Sequence, residues 1–244
     1  MKNYKLEICY DGTAFFGWQI QKKTRTIQGV IEEQLESIFK SGRINLIGSG
    51  RTDAGVHANC QVANFFVETN MDESQIMKAI NRKLPKDILI KKCSLVNDKF
   101  NSRFSAKRRE YIYNITDEYS PINRMYFLHN KWPVDKEKLS VCADLLIGEN
   151  DYTLFSKASS ETKNKICVIY HSEWIFLNKA YTYKIIGNRF LQHMVRMLVG
   201  TMLEVARDRI SIKDFKDILK CNKTKLTAVR SQASGLFLNN VYYE

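Results

Sequence analysis

The segment Gly48-Ser49-Gly50-Arg51-Thr52-Asp53-Ala54-Gly55-Val56-His57-Ala58 sets a carboxylate, a guanidinium and an imidazole among three glycines. Glycine adopts backbone angles that other residues resist, so this stretch can turn sharply and present Asp53. A carboxylate held in that way can serve as a base or as a nucleophile. Arg51 and His57 are candidate contacts to a phosphate or a base. A surface turn closed by a local Arg51–Asp53 pair accounts for the same residue types, since exposed ion pairs are common and weak.

The elements that would position this segment follow from hydrophobic period. Tyr4, Leu6, Ile8 and Tyr10 alternate with other residues and predict a strand, ended by the turn Asp11-Gly12-Thr13. Thr26 can cap a helix whose residues Ile27, Val30, Ile31, Leu35, Ile38 and Phe39 share one face. Gln61 to Val67 reads as a strand. Asp72 and Gln75 form a capping-box-like start to a second helix, which should end near Leu84, ahead of Pro85. Tyr111, Tyr113 and Ile115 predict a strand, and Pro121 to Pro133 a connection. A helix is expected from Asp135 to Ile147, with Gly148 at its end. Trp174 and Phe176, then Tyr181, Tyr183 and Ile185, fit two strands joined at Asn178-Lys179. Phe190, Met194, Met197, Leu198, Thr201, Met202 and Val205 trace one face of a long helix. Ser211 starts another, and Leu236 and Leu238 mark a last strand. Strands and long helices in each half predict an α+β fold, divided into residues 1–120 and 121–244.

The formal net charge of +12 favours a polyanionic partner, because a Lys or Arg near a phosphate can release a condensed counterion. The run Lys99 to Arg109 holds Lys99, Arg103, Lys107, Arg108 and Arg109 with no acid, and Lys22, Lys23 and Arg25 form a second run. Basic residues interleaved with aromatics suit RNA, whose phosphates need neutralising and whose unstacked bases need a ring to lie on. Solvated loops would show the same runs. The opening Met1-Lys2-Asn3-Tyr4-Lys5 lacks the apolar stretch of a signal peptide. The most apolar stretch, Met194 to Val205, is broken by Arg196 and Glu204, so no membrane span is expected. Six cysteines without a C-x-x-C pair and four histidines without ligand spacing predict no metal site and free thiols, hence a cytoplasmic setting. No helix-turn-helix or zinc-finger pattern supports a DNA-binding regulator.

The string Gly-Arg-Thr-Asp-Ala-Gly-Val-His-Ala, residues 50–58, resembles the signature loop of the TruA family of tRNA pseudouridine synthases. Further blocks resemble that family in order and spacing. They are Tyr10-Asp11-Gly12-Thr13, Phe16-Gly17-Trp18-Gln19 and Thr26-Ile27-Gln28; Asn101 to Ala106 with Tyr111-Ile112-Tyr113; Phe190 to Arg196 with Val199-Gly200-Thr201; and Gly235-Leu236. The resemblance spans essentially the whole chain. It implies two similar α+β halves, each a β-sheet flanked by helices, with the active cleft between them. It implies Asp53 as catalytic aspartate, Tyr111 packed on the target base, Arg196 paired with the aspartate, and Leu236 lining the uracil pocket. Arg51, His57 and Arg103 are then expected substrate contacts. The implied substrate is the anticodon stem-loop of tRNA, the implied assembly a homodimer, and no metal or organic cofactor is implied. Two positions depart from the family pattern. Val229 to Ser234 lacks the Thr and Pro often found before Gly-Leu, and Met197 stands where Asn commonly follows the helix arginine. Both bear on the pocket wall more than on the reaction.

Pseudouridine formation breaks the bond from ribose to the uracil nitrogen, turns the base over and rejoins it through carbon. No group is lost or gained, so the reaction needs a carboxylate rather than a redox or phosphoryl cofactor. The carboxylate acts by adding to the nucleotide or by removing a proton. Desolvation in a closed pocket pushes any carboxylate toward its protonated form, and an Arg close by pushes back by a comparable amount. Arg196 is the natural source of that second effect. A non-catalytic tRNA-binding protein on the same scaffold is the alternative, and intact Asp53, Tyr111 and Arg196 argue against it.

Overall fold

The computed structural model describes residues 1–40, 42–159, 162–222 and 226–244. In chain order the elements are β1 (Lys2–Tyr10), α1 (Ile27–Phe39), β2 (Ile47–Gly48), β3 (His57–Val67), α2 (Glu73–Lys83), β4 (Ile88–Val96), β5 (Arg108–Thr116), β6 (Leu128–His129), α3 (Lys136–Asp144), β7 (Gly148–Asp151), β8 (Ile166–Leu177), β9 (Ala180–Gly187), α4 (Met194–Ala206), α5 (Ile212–Leu219) and β10 (Leu236–Tyr242). They form two compact units, Met1–Lys107 with Phe237–Glu244, and Arg108–Leu236. The fold is α+β, as the pattern of strands and helices predicts.

In the first unit β1 is central and antiparallel to both β3 and β4. Its alternation is the one read from the sequence: Tyr4, Leu6, Ile8 and Tyr10 are all buried. Phe65 lies opposite Tyr4, and the two rings stack at 5.9 Å. Phe39 at the end of α1 reaches Phe65 at 6.1 Å, which sets the helix on the buried face of the sheet. Thr26 caps α1 by accepting from the Gly29 N–H, and Asp72 and Gln75 form the complete capping box of α2. Such a cap contributes about 1 kcal/mol. β4 has no counterpart among the expected strands. Its burial alternation fails at Lys91-Lys92, where the register against Glu7 and Ile8 slips. A bulge inserts one extra residue and destroys the period of two on which the reading depends.

In the second unit β5, β9, β8 and β7 follow one another as antiparallel neighbours, with β6 beside β5. Tyr113 lies opposite Tyr183, and both are fully buried. The Tyr183 hydroxyl finds Ser172 at 2.8 Å, so its polar end is satisfied inside the core. Asn178 takes the left-handed conformation (φ 49°) in the tight β8–β9 turn. α4 is a core helix with Met194, Val195, Leu198, Val199 and Met202 buried. It begins at Met194 because His193 sits in the left-handed region (φ 68°), so Phe190, expected on its face, precedes it. α3 ends at Asp144 rather than Ile147, and Gly148 (φ 103°) opens β7. Ser211 and Asp214 complete a capping box on α5.

The expected division at residues 120 and 121 differs from these units in two ways. β5 belongs wholly to the second unit because it pairs with β9 from Arg109 to Thr116. β10 returns to the first unit and pairs in parallel with β3, Phe237 beside His57 and Leu238 beside Ala58. A parallel partner this far along the chain leaves no local signal. No helix among the described residues is long and apolar enough to cross a membrane.

Candidate active site

Asp53 occupies the turn between β2 and β3, half-buried, between buried Thr52 and exposed Ala54. The backbone is pinned on both sides of it. The Thr52 carbonyl accepts from the Trp18 N–H at 3.1 Å, and the Gly55 N–H donates to the Phe15 carbonyl at 3.2 Å. The Val56 N–H closes the turn onto the Asp53 carbonyl at 3.1 Å, and Gly55 takes φ 76°. Thr52 Oγ1 lies 2.8 Å from the Tyr10 hydroxyl in the core. Two glycines outside the loop let these segments touch. A Cβ at Gly12 would come within 2.0 Å of the Val56 carbonyl oxygen, and one at Gly17 within 2.6 Å of the Thr52 oxygen. Gly17 also sits at φ 88°. The blocks around Tyr10 and Gly17 are thus the cradle of the Asp53 turn, a role that their sequence does not announce.

His57 is buried beneath the same turn. Its Nδ1 accepts from the Gly12 N–H at 3.1 Å and lies 3.1 Å from the Asp11 carboxylate. One nitrogen cannot accept from an N–H and donate to a carboxylate at once, so the two contacts belong to different protonation states. The ring stacks on Phe237 at 4.6 Å. His57 therefore supports the turn from below. Arg51 is exposed on the loop. Arg103 projects from a second turn, in which the Asn101 carboxamide oxygen accepts from the N–H groups of Arg103 and Phe104. That turn is anchored through the Ser102 N–H to Asn64, and from Asn64 to Asn3. The anchor leaves the Arg103 guanidinium 5.5 Å over the ring of Phe104, a side chain 79 % exposed. Of the other basic run, Arg25 makes a two-pronged bond to Asp87 (2.8 and 3.0 Å) and lies on the ring of Phe15, whereas Lys22 and Lys23 are exposed.

In the second unit Tyr111 is buried on β5, and Phe190 meets its ring edge-on at 5.1 Å. Arg196 stands in the first turn of α4 and is half-buried. Its Nε donates to the Ser231 carbonyl at 3.0 Å, and the Ser231 N–H and hydroxyl both donate to the Arg196 carbonyl at 3.0 Å. The chain then runs to Gly235, whose carbonyl accepts from the Asn114 N–H at 2.8 Å, and to buried Leu236. Tyr113, two residues beyond Tyr111 on the same strand face, donates its hydroxyl to the Gln232 carbonyl at 2.8 Å. Burial pushes the Tyr113 hydroxyl up to about 12, against smaller opposing effects of Ser231 and the Arg196 charge, so it remains a donor at neutral pH.

The tRNA pseudouridine synthase family model matches residues 8–105 and 142–244. The chain is 40 % identical over 248 residues to tRNA pseudouridine synthase A of Borrelia turicatae (strain 91E135), with 100 % of both chains covered. It is 37 % identical over 249 residues to the enzyme of the same name from Lacticaseibacillus casei (strain BL23), again with 100 % of both covered. The chain belongs to the tRNA pseudouridine synthase A family. It is accordingly an isomerase.

Within this pseudouridine synthase the sequence signature marks the Asp53 turn, and the structure adds what holds it: Tyr10, Gly12, Gly17 and Trp18 in the first unit. The second unit adds Ser231 and Tyr113 around Arg196. The residue types carried no sign of the latter pair, because a serine in an irregular segment and a tyrosine in a strand core are ordinary. Phe104 was also missed, although an aromatic beside Arg103 in a basic run is a readable signal for RNA. Among the described residues no three His, Cys, Asp or Glu side chains gather as metal ligands would.

Proposed function

We propose that this synthase converts uridine to pseudouridine in the anticodon stem-loop of tRNA, with Asp53 as the catalytic carboxylate. Arg196 is its counter-charge, Tyr111 packs on the target base and Leu236 lines the uracil pocket. The observation that carries this reading is the turn itself. Four hydrogen bonds fix Thr52, Gly55 and Val56, and two glycines admit the backbone packed on them, while the residue between them is a carboxylate. A turn held so closely is a means of fixing where a reacting group points, and orientation is a large part of catalysis.

The target uridine must leave the stack, at a cost of a few kcal/mol. Exposed cations that neutralise phosphate and an exposed ring that can take a base offset this cost. Arg51, Arg103, Lys99, Lys107 and Arg108 are exposed, and Phe104 is the ring. His57 serves by supporting the loop. The working form in this reading is a cytoplasmic homodimer.

The test is incubation of the protein with an unmodified tRNA transcript, followed by chemical mapping of pseudouridine. Pseudouridine confined to the anticodon stem-loop is expected. Binding of the transcript without any conversion would overturn the reading in favour of a binding protein.

A further inference from the structure

The Arg196 side chain has more holding it than a helix position supplies. The segment Val229 to Gly235 runs as a strap over α4 from Thr201 back to Arg196 and then turns at Ala233 into Leu236. Its Val229 N–H donates to Thr201 Oγ1 at 3.0 Å, and that hydroxyl donates in turn to the Met197 carbonyl at 2.7 Å. Gly200 makes the crossing possible: a Cβ there would come within 2.2 Å of the Val229 carbonyl oxygen and 2.8 Å of the Ser231 nitrogen. One turn earlier, Ser231 closes on Arg196 with the three hydrogen bonds given above. From the sheet side, the Tyr113 hydroxyl holds the next carbonyl, that of Gln232. Gly235 again permits close approach, since a Cβ would meet the Asn114 oxygen at 2.5 Å. Val199-Gly200-Thr201 and Gly235-Leu236, two blocks whose residue types suggest no chemistry, are the two ends at which this strap is fastened.

The consequence is directional. An Arg side chain has a long, flexible stem and a planar head. A hydrogen bond from Nε to a fixed carbonyl sets the plane of that head and leaves the terminal N–H groups to bond within that plane. A carboxylate takes two parallel N–H bonds only when the fork lies in its plane. We propose that Ser231 and Tyr113 are positioning residues for the reaction, holding the strap so that the Ser231 carbonyl fixes the orientation of the Arg196 guanidinium. This rests on the reading of Arg196 as the counter-charge to Asp53.

The test uses Tyr113→Phe and Ser231→Ala in the full chain, each with and without Arg196→Lys, measuring kcat and KM on a tRNA transcript. Both single variants remove one hydroxyl and leave the core shape. In the Arg196 background, kcat should fall about tenfold for Tyr113→Phe and about threefold for Ser231→Ala, the loss of one hydrogen bond each. KM should stay within about twofold. Lys has no Nε–H to give the strap, so in the Arg196→Lys background the same changes should cost nothing further. Equal losses in both backgrounds would show a merely structural hydroxyl and overturn the proposal. So would an impaired Arg196→Lys beside unimpaired Tyr113→Phe and Ser231→Ala variants. Full turnover by Arg196→Lys would also overturn the proposal, because Lys keeps the charge without the oriented fork, whereas full turnover by Arg196→Met would overturn the counter-charge reading itself.

Discussion

The Asp53 turn and the Arg196 strap address one problem, holding a charged side chain still, at different points of the side chain. The turn is held through its backbone and the Thr52 hydroxyl: one of the bonds that pin Thr52, Gly55 and Val56 lies within the turn, and the others come from residues 10–18, tens of positions earlier in the chain. The guanidinium is bonded at its own head, by a segment that is likewise distant, 35 residues further along. The turn uses glycine twice to admit backbone, at Gly12 and Gly17, and the strap uses it twice, at Gly200 and Gly235. A carboxylate on a short stem needs only its backbone fixed, whereas a guanidinium on a long stem needs its head fixed as well.

That contrast can be broken most severely at the charge. Arg196→Met removes the cation and should lower kcat about a hundredfold or more, since an unpaired charge costs most where water is scarce. Residual turnover should rise with pH, because a carboxylate that has lost its cation is harder to ionise. A pH–rate profile of the variant checks both. The next largest effect should come from the glycines. Gly12→Ala puts a methyl group into the Val56 carbonyl and should cost about 1–3 kcal/mol, read as a shift in thermal unfolding. At Gly50 a Cβ would meet open space among the described residues, so Gly50→Ala should leave stability within about 0.5 kcal/mol. Equal shifts for the two would contradict the cradle.

Smaller effects separate the two basic runs. tRNA affinity should fall steeply between low and physiological salt, with Arg103→Gln reducing the slope of log affinity against log salt by about 1. Arg25→Gln should reduce it less, because that guanidinium is already committed to Asp87. The smallest of these effects comes from ionisation of Tyr113 and appears only at high pH. Its folded-state value, raised from 10.0 to about 12, contributes stability that is fully present below pH 10 and is lost as pH rises through about 12. Urea unfolding between pH 9 and 12 should therefore fall off less steeply for Tyr113→Phe than for the parent.

How much of this could be read in advance follows separation along the chain. Thr26, Asp72 and Ser211 announce their helices, because a cap lies within three residues of what it caps. The signature around Asp53 was legible for the related reason that its loop is contiguous. β4 was not, because its bulge at Lys91-Lys92 breaks the alternation. Nor was the return of β10 to β3, or the closure of Ser231 on Arg196, since both join residues separated by tens or hundreds of positions. His57 shows the remaining gap: residue type suggested an RNA contact, and only its burial reveals a support for Gly12.

The central claim is that the carboxylate on the pinned turn performs the isomerisation. Asp53→Asn keeps the shape of the side chain and removes its charge. Under saturating tRNA, with pseudouridine counted per transcript after a single long incubation, the account predicts none above the protein-free control, with tRNA affinity within about tenfold of the parent, or ~1.4 kcal/mol. Pseudouridine accumulating at a substantial fraction of the parent's rate would contradict it.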